Sequence, residues 1–592
     1  MAEYMCDFET TTDPKDCRVW AACACDVETN AIVHLSNRID SFMEWCGGFK
    51  KTTKIYFHNL KFDGEFILSW LFRNGFTYSE SPKKMAARTF NTLVSDMGQF
   101  YKMTIQFAAK KKVEIFDSLK KLPFKVTKIA KDFGLEMTKG DIDYSLKRPE
   151  GWTITPEEQD YIERDCRIVA SALHMQTEQG MVKMTTAADA MFYYKNLMGR
   201  QFDYWFPTLP KELDDDIRKA YKGGFTYLNP KYKGLRVSSG IVFDVNSLYP
   251  SCMYECPLPW GYPVFFEGKY EHDDYYPLYI ARIRCSFQIK PDHIPCVQIK
   301  RGVFQETEYL ESSDVEIDGH MERMEVELTM TSVDLELFLD HYDVEGLEYI
   351  SGFKFKGQVG MFKDYIDHWM HIKETSPAGS AQRVSSKLYL NSLYGKFASA
   401  TERMKKTPYM CPDGVVRYYT YHEPERDKDG NLIFDSPSKL RFKRDSEGFL
   451  VEREPEIVDP VYTPVGAFIT AWARNKTIRS AQKVYDRFIY ADTDSLHLEG
   501  DEIPDGLEVH PTALGKWKHE GTFTDAKFLR AKTYMETIDG KTHVTCAGMP
   551  DNVKESVTYD TFEPGAVFPG KLLPKRVPGG VVLMPVDFTI KL

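Results

Sequence analysis

An excess of positive charge, a cysteine framework and a long apolar run are all missing from these 592 residues, and each absence excludes a class of protein. The net charge of −11 argues against a chain that coats nucleic acid by bulk electrostatics. A nucleic-acid enzyme stays open, because metal-binding carboxylates and acidic outer faces lower the sum. The twelve cysteines contain no C-x-x-C pair. Cys23 and Cys25, or Cys252 and Cys256, have no histidine nearby to complete a zinc site. Reduced, mostly buried thiols of a cytoplasmic protein are expected. No stretch approaches the roughly 20 apolar residues of a membrane helix. The opening MAEYMCDFETTT has neither a basic region nor an apolar run, so a soluble protein without a signal peptide is expected.

The length exceeds one core and predicts three or more subdomains. Aromatic residues reach 14%, which suits stacking on bases but also fills several cores. Residues 110–133, KKKVEIFDSLKKLPFKVTKIAKDF, carry eight lysines against three acids, with Phe116, Leu119, Leu122 and Phe124 interleaved. That run reads as a solvated face or as a surface that tracks phosphates.

Residues 1–185 alternate strands (4–9, 55–58, 113–116) with helices, which predicts an α/β domain. Thr155-Pro156-Glu157-Glu158 starts a helix that runs through Tyr161 and Asp165. Residues 241–250, IVFDVNSLYP, read as a buried strand ending at Asp244. Residues 258–355 resemble an insertion with its own small fold. Residues 361–398 predict a helical hairpin broken at 376–379. Residues 402–457 carry turn signals at Asp413-Gly414, Asp429-Gly430-Asn431 and Glu447-Gly448, consistent with projecting hairpins or with disorder.

Two sets of acids carry chemistry. In Tyr490-Ala491-Asp492-Thr493-Asp494-Ser495 a tight hairpin exposes Asp492 and Asp494 at its tip. Such close carboxylates repel unless a cation such as Mg²⁺ sits between them, and Asp244 is a third from a neighbouring strand. Two metals about 3.5–4 Å apart activate a primer hydroxyl and stabilise departing pyrophosphate. A D-x-D pair alone is weak evidence, since surface turns and glycosyltransferases hold it too. Lys387, Asn391 and Tyr394 share one helical face, a stripe able to meet triphosphate, polar edge and sugar or base. Gly395 costs about 1 kcal/mol in a helix and hints at close approach of a base pair. The second set comprises Asp7 and Glu9 on one strand face, Asn59 and Asp63 in YFHNLKFDGEF, and Asp165 one helical turn beyond Tyr161. These carboxylates can hold two Mg²⁺ ions, with Tyr161 orienting the attacking water.

Asp244 with Ser247-Leu248-Tyr249-Pro250, Lys387 with Asn391-Ser392-Leu393-Tyr394-Gly395, and Tyr490-Ala491-Asp492-Thr493-Asp494 resemble, in order, the three motifs of family B DNA polymerases. Lys532-Thr533-Tyr534 is similar to the K-x-Y motif of the protein-primed subgroup from small tailed bacteriophages, the phi-29 type. The resemblance covers nearly the whole chain. It implies Asp244, Asp494 and the Val245 carbonyl as metal ligands with Asp492 nearby, and Tyr249 as the steric bar to ribonucleotides. Tyr394 completes the nucleotide pocket, Lys387 and Lys373 meet the triphosphate, and Lys532 and Tyr534, on one strand face, grip the primer. In the proofreading part it implies strand contacts from Thr10, Tyr56, His58, Asn59, Phe62, Phe66, Ser118 and Leu119. Lys139 would stabilise the scissile phosphate and Asp141 would add a peripheral metal contact. Mg²⁺, two per site and replaceable by Mn²⁺, is the implied cofactor.

The implied fold is multidomain α/β and α+β: a ribonuclease H-like exonuclease domain (1–185), then a right-hand polymerase with two insertions. Palm segments would span 186–257 and 458–535, fingers 357–398 and thumb 536–592. The terminal-protein-like insertions would be 258–356 and, with a palm segment, 399–457; the second is longer than the subgroup usually has. Expected partners are DNA template and primer, deoxynucleoside triphosphates and a terminal priming protein. A processive, strand-displacing monomer in the cytoplasm of an infected bacterial host, replicating a linear genome, completes the expectation. Three other readings stay open: a primer-dependent family B enzyme without a terminal protein, a metal-dependent nuclease with a DNA-binding C-terminal part, and a D-x-D glycosyltransferase, disfavoured by the second acid set.

Overall fold

The computed structural model describes residues 2–299, 304, 309–419, 425–426, 432–433, 442–444, 450–452 and 456–591. The turn signals at 429–431 and 447–448 lie outside the described residues, as does most of the stretch between them.

The first unit is built on an eight-stranded sheet. Its central strand, Glu3–Thr10, pairs antiparallel with Val19–Asp26 and parallel with Thr53–Phe57, which in turn pairs parallel with Lys111–Asp117. Val19–Asp26, VWAACACD, is buried at every position but the last, as a strand covered on both faces requires. The helix Pro156–Glu178 packs across Glu3–Thr10 and Val19–Asp26. It begins at the expected capping box, the Thr155 side chain accepting from the Glu158 amide and Glu158 accepting from the Thr155 amide. The basic run at 110–133 is neither one face nor one element. It folds as the strand Lys111–Asp117, a 3₁₀ turn and the helix Val126–Asp132. Leu122 is core, and Lys121 is buried against Asp189 and the carbonyls of Met181 and Lys183.

A second sheet carries the C-terminal motifs. Gly240–Val245 sits at its centre, flanked by Ser495–Glu499 and Trp517–Arg530, with Phe488–Asp492 and Thr226–Leu228 beyond the former. Trp517–Arg530 continues to Thr533–Ile538 and Lys541–Cys546, so the sheet runs past the boundary at 535 expected from sequence. The helix Thr463–Lys483 is buried along most of its length because it lies between this sheet and the first insertion. That insertion is a four-stranded antiparallel sheet, Leu258–Glu267, Tyr342–Gln358, Leu278–Ile289 and Val326–Thr331, with the helix Ser332–His341. The predicted helical hairpin is Lys363–Thr375 and Ala381–Ser392, but Leu393 interrupts the second arm, and Tyr394–Phe397 is a separate turn. The Asp413-Gly414 signal joins Thr407–Met410 to Val416–Tyr419. Near the C-terminus a long hairpin, Val567–Val577 with Gly580–Thr589, folds back onto the first unit. Among the described residues no helix is long and apolar enough to cross a membrane.

Candidate active sites

The hairpin Phe488–Asp492 and Ser495–Glu499 turns through Thr493 and Asp494, with Thr493 at φ +60. Its tip is held by the Thr493 amide donating to the Phe225 carbonyl at 2.6 Å and by Thr477 donating to the Thr493 carbonyl at 2.8 Å. Gly224 is needed here, since a Cβ would come 2.7 Å from Thr493 Oγ1. Asp244 lies opposite Ser495, and the Val245 amide donates to the Asp494 carbonyl at 2.8 Å. Asp494, in the hairpin turn, therefore stands beside the end of the strand that carries Asp244. Burial and then the Asp494 charge push the Asp244 carboxyl up to about 7, and burial raises Asp494 too. Asp244 Oδ1 is buried with no hydrogen-bond partner. Asp492 differs: Lys532 Nζ bridges its oxygens at 3.0 and 2.9 Å, and Thr226 donates at 2.9 Å.

Lys532 is not on a strand face with Tyr534, as the sequence led us to expect. It occupies a left-handed turn at φ +56 before Thr533–Ile538, and its amide donates to the Tyr490 hydroxyl at 2.9 Å. Tyr534 packs on Phe528, with ring centres 5.3 Å apart.

Above the acids, Tyr249 and Tyr394 stack with centres 4.1 Å apart and planes 19° off parallel. Lys387, Asn391 and Gly395 are exposed along one side of their helices, and a Cβ on Gly395 would meet open space. Lys373 Nζ reaches Ser247 Oγ at 3.3 Å. Burial and then the charges of Lys387 and Arg383 lower its pKa against the opposing charge of Glu374, so three cations converge here. Arg383 stands one turn before Lys387 on the same helical face and had not been expected from sequence. Its guanidinium is fixed by the Lys373 and Ser376 carbonyls.

The second centre opens into a cavity of about 620 Å³ that brings together Asp7, Glu9, Asp63, Asp165, Tyr161 and Lys139. Burial and then Asp165 push Asp7 up to about 7; burial raises Asp165, and burial with Asp7 raises Glu9 and Asp63. Lys139 bonds one oxygen of Asp165, while the other is buried and unpartnered. The Tyr161 hydroxyl meets that of Tyr144 at 3.0 Å, a partner the sequence reading missed although it stands five residues beyond Lys139.

Thr10, His58, Asn59 and Phe62 line this cavity. His58 does so with both ring nitrogens engaged, by Ser118 at 3.0 Å and the Phe124 carbonyl at 2.8 Å, which leaves neither for a strand. Tyr56, Phe66 and Ser118 lie behind the wall instead. Tyr56 is buried with its hydroxyl on Glu3 at 3.2 Å, Phe66 is core, and Ser118 donates to the Phe57 carbonyl at 3.1 Å. Leu119 is half-buried on the 3₁₀ turn, outside the cavity lining. Asp141 is exposed and also apart from the acids. Leu572, Val582 and Leu583 of the C-terminal hairpin form part of the wall and were not foreseen.

Both centres offer oxygen donors alone, crowded until their protons are hard to lose, each with an orphaned buried oxygen. That donor set fits hard divalent cations. The sign of the resulting pH dependence follows. Asp7 and Asp244 keep their protons to about 7 in the fold but lose them near 3.8 when unfolded. Cation-free protein therefore loses stability as pH rises across that window. Added Mg²⁺ should raise the melting temperature more at about pH 8 than at about pH 6. Equal shifts at both would show that the cation does not replace these protons.

The family model described as DNA polymerase type B, organellar and viral, matches residues 49–510. The chain is 46% identical to the DNA polymerase of Bacillus phage phi29 over 99% of both, and 33% identical to that of Streptococcus phage Cp-1 over 99% of this chain and 98% of that one. The solved structure of the phi29 enzyme complexed with primer-template DNA and incoming nucleotide substrates matches with a TM-score of 0.88 at 45% identity, covering all of both chains.

Proposed function

Because this chain belongs to the type B DNA polymerases of organelles and viruses, we propose that its two acidic centres divide the copying and the correction of DNA. The chain is a DNA-directed DNA polymerase with a 3′–5′ exonuclease, and divalent-metal dependence comes with the family. The observation that carries the assignment is the meeting of the Asp494 turn with the end of the Asp244 strand, beneath the Tyr249–Tyr394 stack and the lysine cluster. Primer extension tests it. With Mg²⁺ and deoxynucleotides the primer grows, and without nucleotides it shortens. A primer that does neither sinks both assignments.

In the synthesis centre, Asp244, Asp494 and the Val245 carbonyl would hold two Mg²⁺ ions, which supply an activated 3′-hydroxyl and a neutralised pyrophosphate leaving group. Lys373, Arg383 and Lys387 receive the triphosphate. Tyr394 and Tyr249 form the floor of the nucleotide pocket. Lys532 neutralises Asp492 and so keeps it from competing with Asp494 for a cation. Tyr249 excludes a 2′-hydroxyl by its ring, so Tyr249→Val should erode discrimination against ribonucleotides by roughly 10²-fold. Unchanged selectivity in single-nucleotide incorporation would remove that role.

In the proofreading centre, Asp7, Glu9, Asp63 and Asp165 would hold the cations, Tyr161 and Tyr144 orient a water through their paired hydroxyls, and Lys139 faces the scissile phosphate. Thr10, Asn59, Phe62 and the hairpin leucines receive the unpaired 3′ end.

The partners are primer-template DNA and deoxynucleoside triphosphates. A terminal protein would supply the priming hydroxyl against the insertion at 258–356, and a monomer acts in the cytoplasm of an infected bacterial host. The insertion within 399–457 would close a ring round the template and separate strands. Removing residues 410–450 should halt extension at a duplex block while open template is still copied; undiminished displacement refutes the role.

A further inference from the structure

Two residues beyond Asp63, on the helix Leu60–Arg73, Glu65 is buried at 2% exposure. Its Oε1 accepts from the Tyr418 hydroxyl at 2.9 Å and from Arg576 Nε at 2.9 Å. The Arg576 guanidinium in turn lies 4.7 Å over the Tyr418 ring. One carboxylate thus joins the exonuclease helix, the strand Val416–Tyr419 at the base of the second insertion, and the C-terminal hairpin. Glu65 is buried and Arg576 is its salt-bridge partner, so loss of Arg576 would leave a buried carboxylate without its counter-charge.

The turn of that hairpin is docked at the same joint. Gly580 lies so close to Phe66 that a Cβ would come 2.5 Å from the ring. Cys17 Sγ donates to the Val581 carbonyl at 3.7 Å. Phe66, Val577, Val581 and Val582 already share an apolar core. An ion pair with its glutamate buried and its arginine 40% exposed adds little stability to such packing, whereas it fixes geometry. Farther along the same hairpin, Leu572 and Leu583 stay exposed at 52% and 41% while lining the cavity of Asp7 and Asp165. Apolar faces at a cavity mouth suit unpaired bases, whose flat surfaces are hidden in a duplex.

We propose that Glu65 is a positioning residue for proofreading: by holding Arg576 and Tyr418 it sets the C-terminal hairpin so that Leu572 and Leu583 close the cavity over a single-stranded 3′ end. This rests on reading the Asp7 centre as the exonuclease. Glu65 touches none of the reacting groups, so its effect falls on strand capture and not on bond cleavage.

The test is hydrolysis of a single-stranded pentanucleotide by the full chain with Mg²⁺, beside incorporation on a matched primer. Glu65→Gln and Arg576→Gln should each raise KM roughly tenfold and leave kcat within about twofold. Incorporation should be unchanged, which also certifies folding. The double variant should be no worse than either single one, because the two act as a unit. Arg576→Lys should recover part of the loss. If the glutamine variants do not fold, Tyr418→Phe, which removes one hydrogen bond and keeps the ring, should still raise KM in the same direction. A fall in kcat at constant KM, a parallel loss of incorporation, or multiplying effects of the two single variants would overturn the proposal. Wild-type protein that leaves the pentanucleotide intact would instead sink the exonuclease reading, and the proposal with it.

Discussion

Asp494→Ala lowers nucleotide incorporation by about 10³-fold or more and leaves the degradation of single strands untouched. The size follows from what is lost. Asp244 and Asp494 are the half-buried pair whose carboxyls are raised by burial despite the charges of Lys518 and Lys532, and Asp244 Oδ1 has no hydrogen-bond partner. Removing one carboxylate halves the charge that draws cations to the hairpin tip, and Asp244 alone then reverts towards an ordinary buried acid. Asp492 supplies the control, because Lys532 and Thr226 already satisfy it. Asp492→Ala should therefore cost distinctly less, with its loss expressed through a displaced Lys532. Single-turnover incorporation of one deoxynucleotide measures both. The ordering is the point: if alanine at 492 is the more damaging, the ligand assignment is reversed. If neither change matters while degradation persists, the chain acts as a nuclease with a DNA-binding C-terminal part.

What could be read from sequence divides along a physical line. The clustering of the acids was legible because their spacing is local. Asp7 and Glu9 alternate on one strand, Tyr161 and Asp165 lie one turn apart, and a two-residue hairpin exposes residue 494. The capping box at Thr155 marked its helix for the same reason. Strand contacts were harder, since exposure depends on what covers a residue. Phe66 has the same chemistry as Phe62 and stands one helical turn away, yet Gly580, more than five hundred residues on, packs against it and seals it. Tyr56 faces Glu3 because its strand alternates, and Lys532 leaves the strand because pairing starts at Thr533. Asp141 shared a motif with Lys139 and still points elsewhere, as loop residues have no period to fix them. Leu572 and Leu583 enter the proofreading cavity from a hairpin with no local pattern to announce it. Tertiary contact, and not motif, decided each of these.

Asp7→Ala has the opposite profile to Asp494→Ala: exonuclease activity falls by about 10³-fold while incorporation holds, and mismatched primers are extended. Asp7 sits on the central strand, and Asp165 and then Lys139 are the charges that most affect it. Its loss relieves repulsion on Asp63 and Glu9, so the fold should gain stability at neutral pH even as activity disappears. That combination separates a catalytic ligand from a structural one, because a residue needed for packing would lose activity and stability together. Degradation of a single strand, extension of a mismatched primer and thermal melting, all on one preparation, read the three consequences. A variant that melts earlier and also stops incorporating would mean that the two centres are not independent. The division of labour between residues 7 and 494 would then have to be given up.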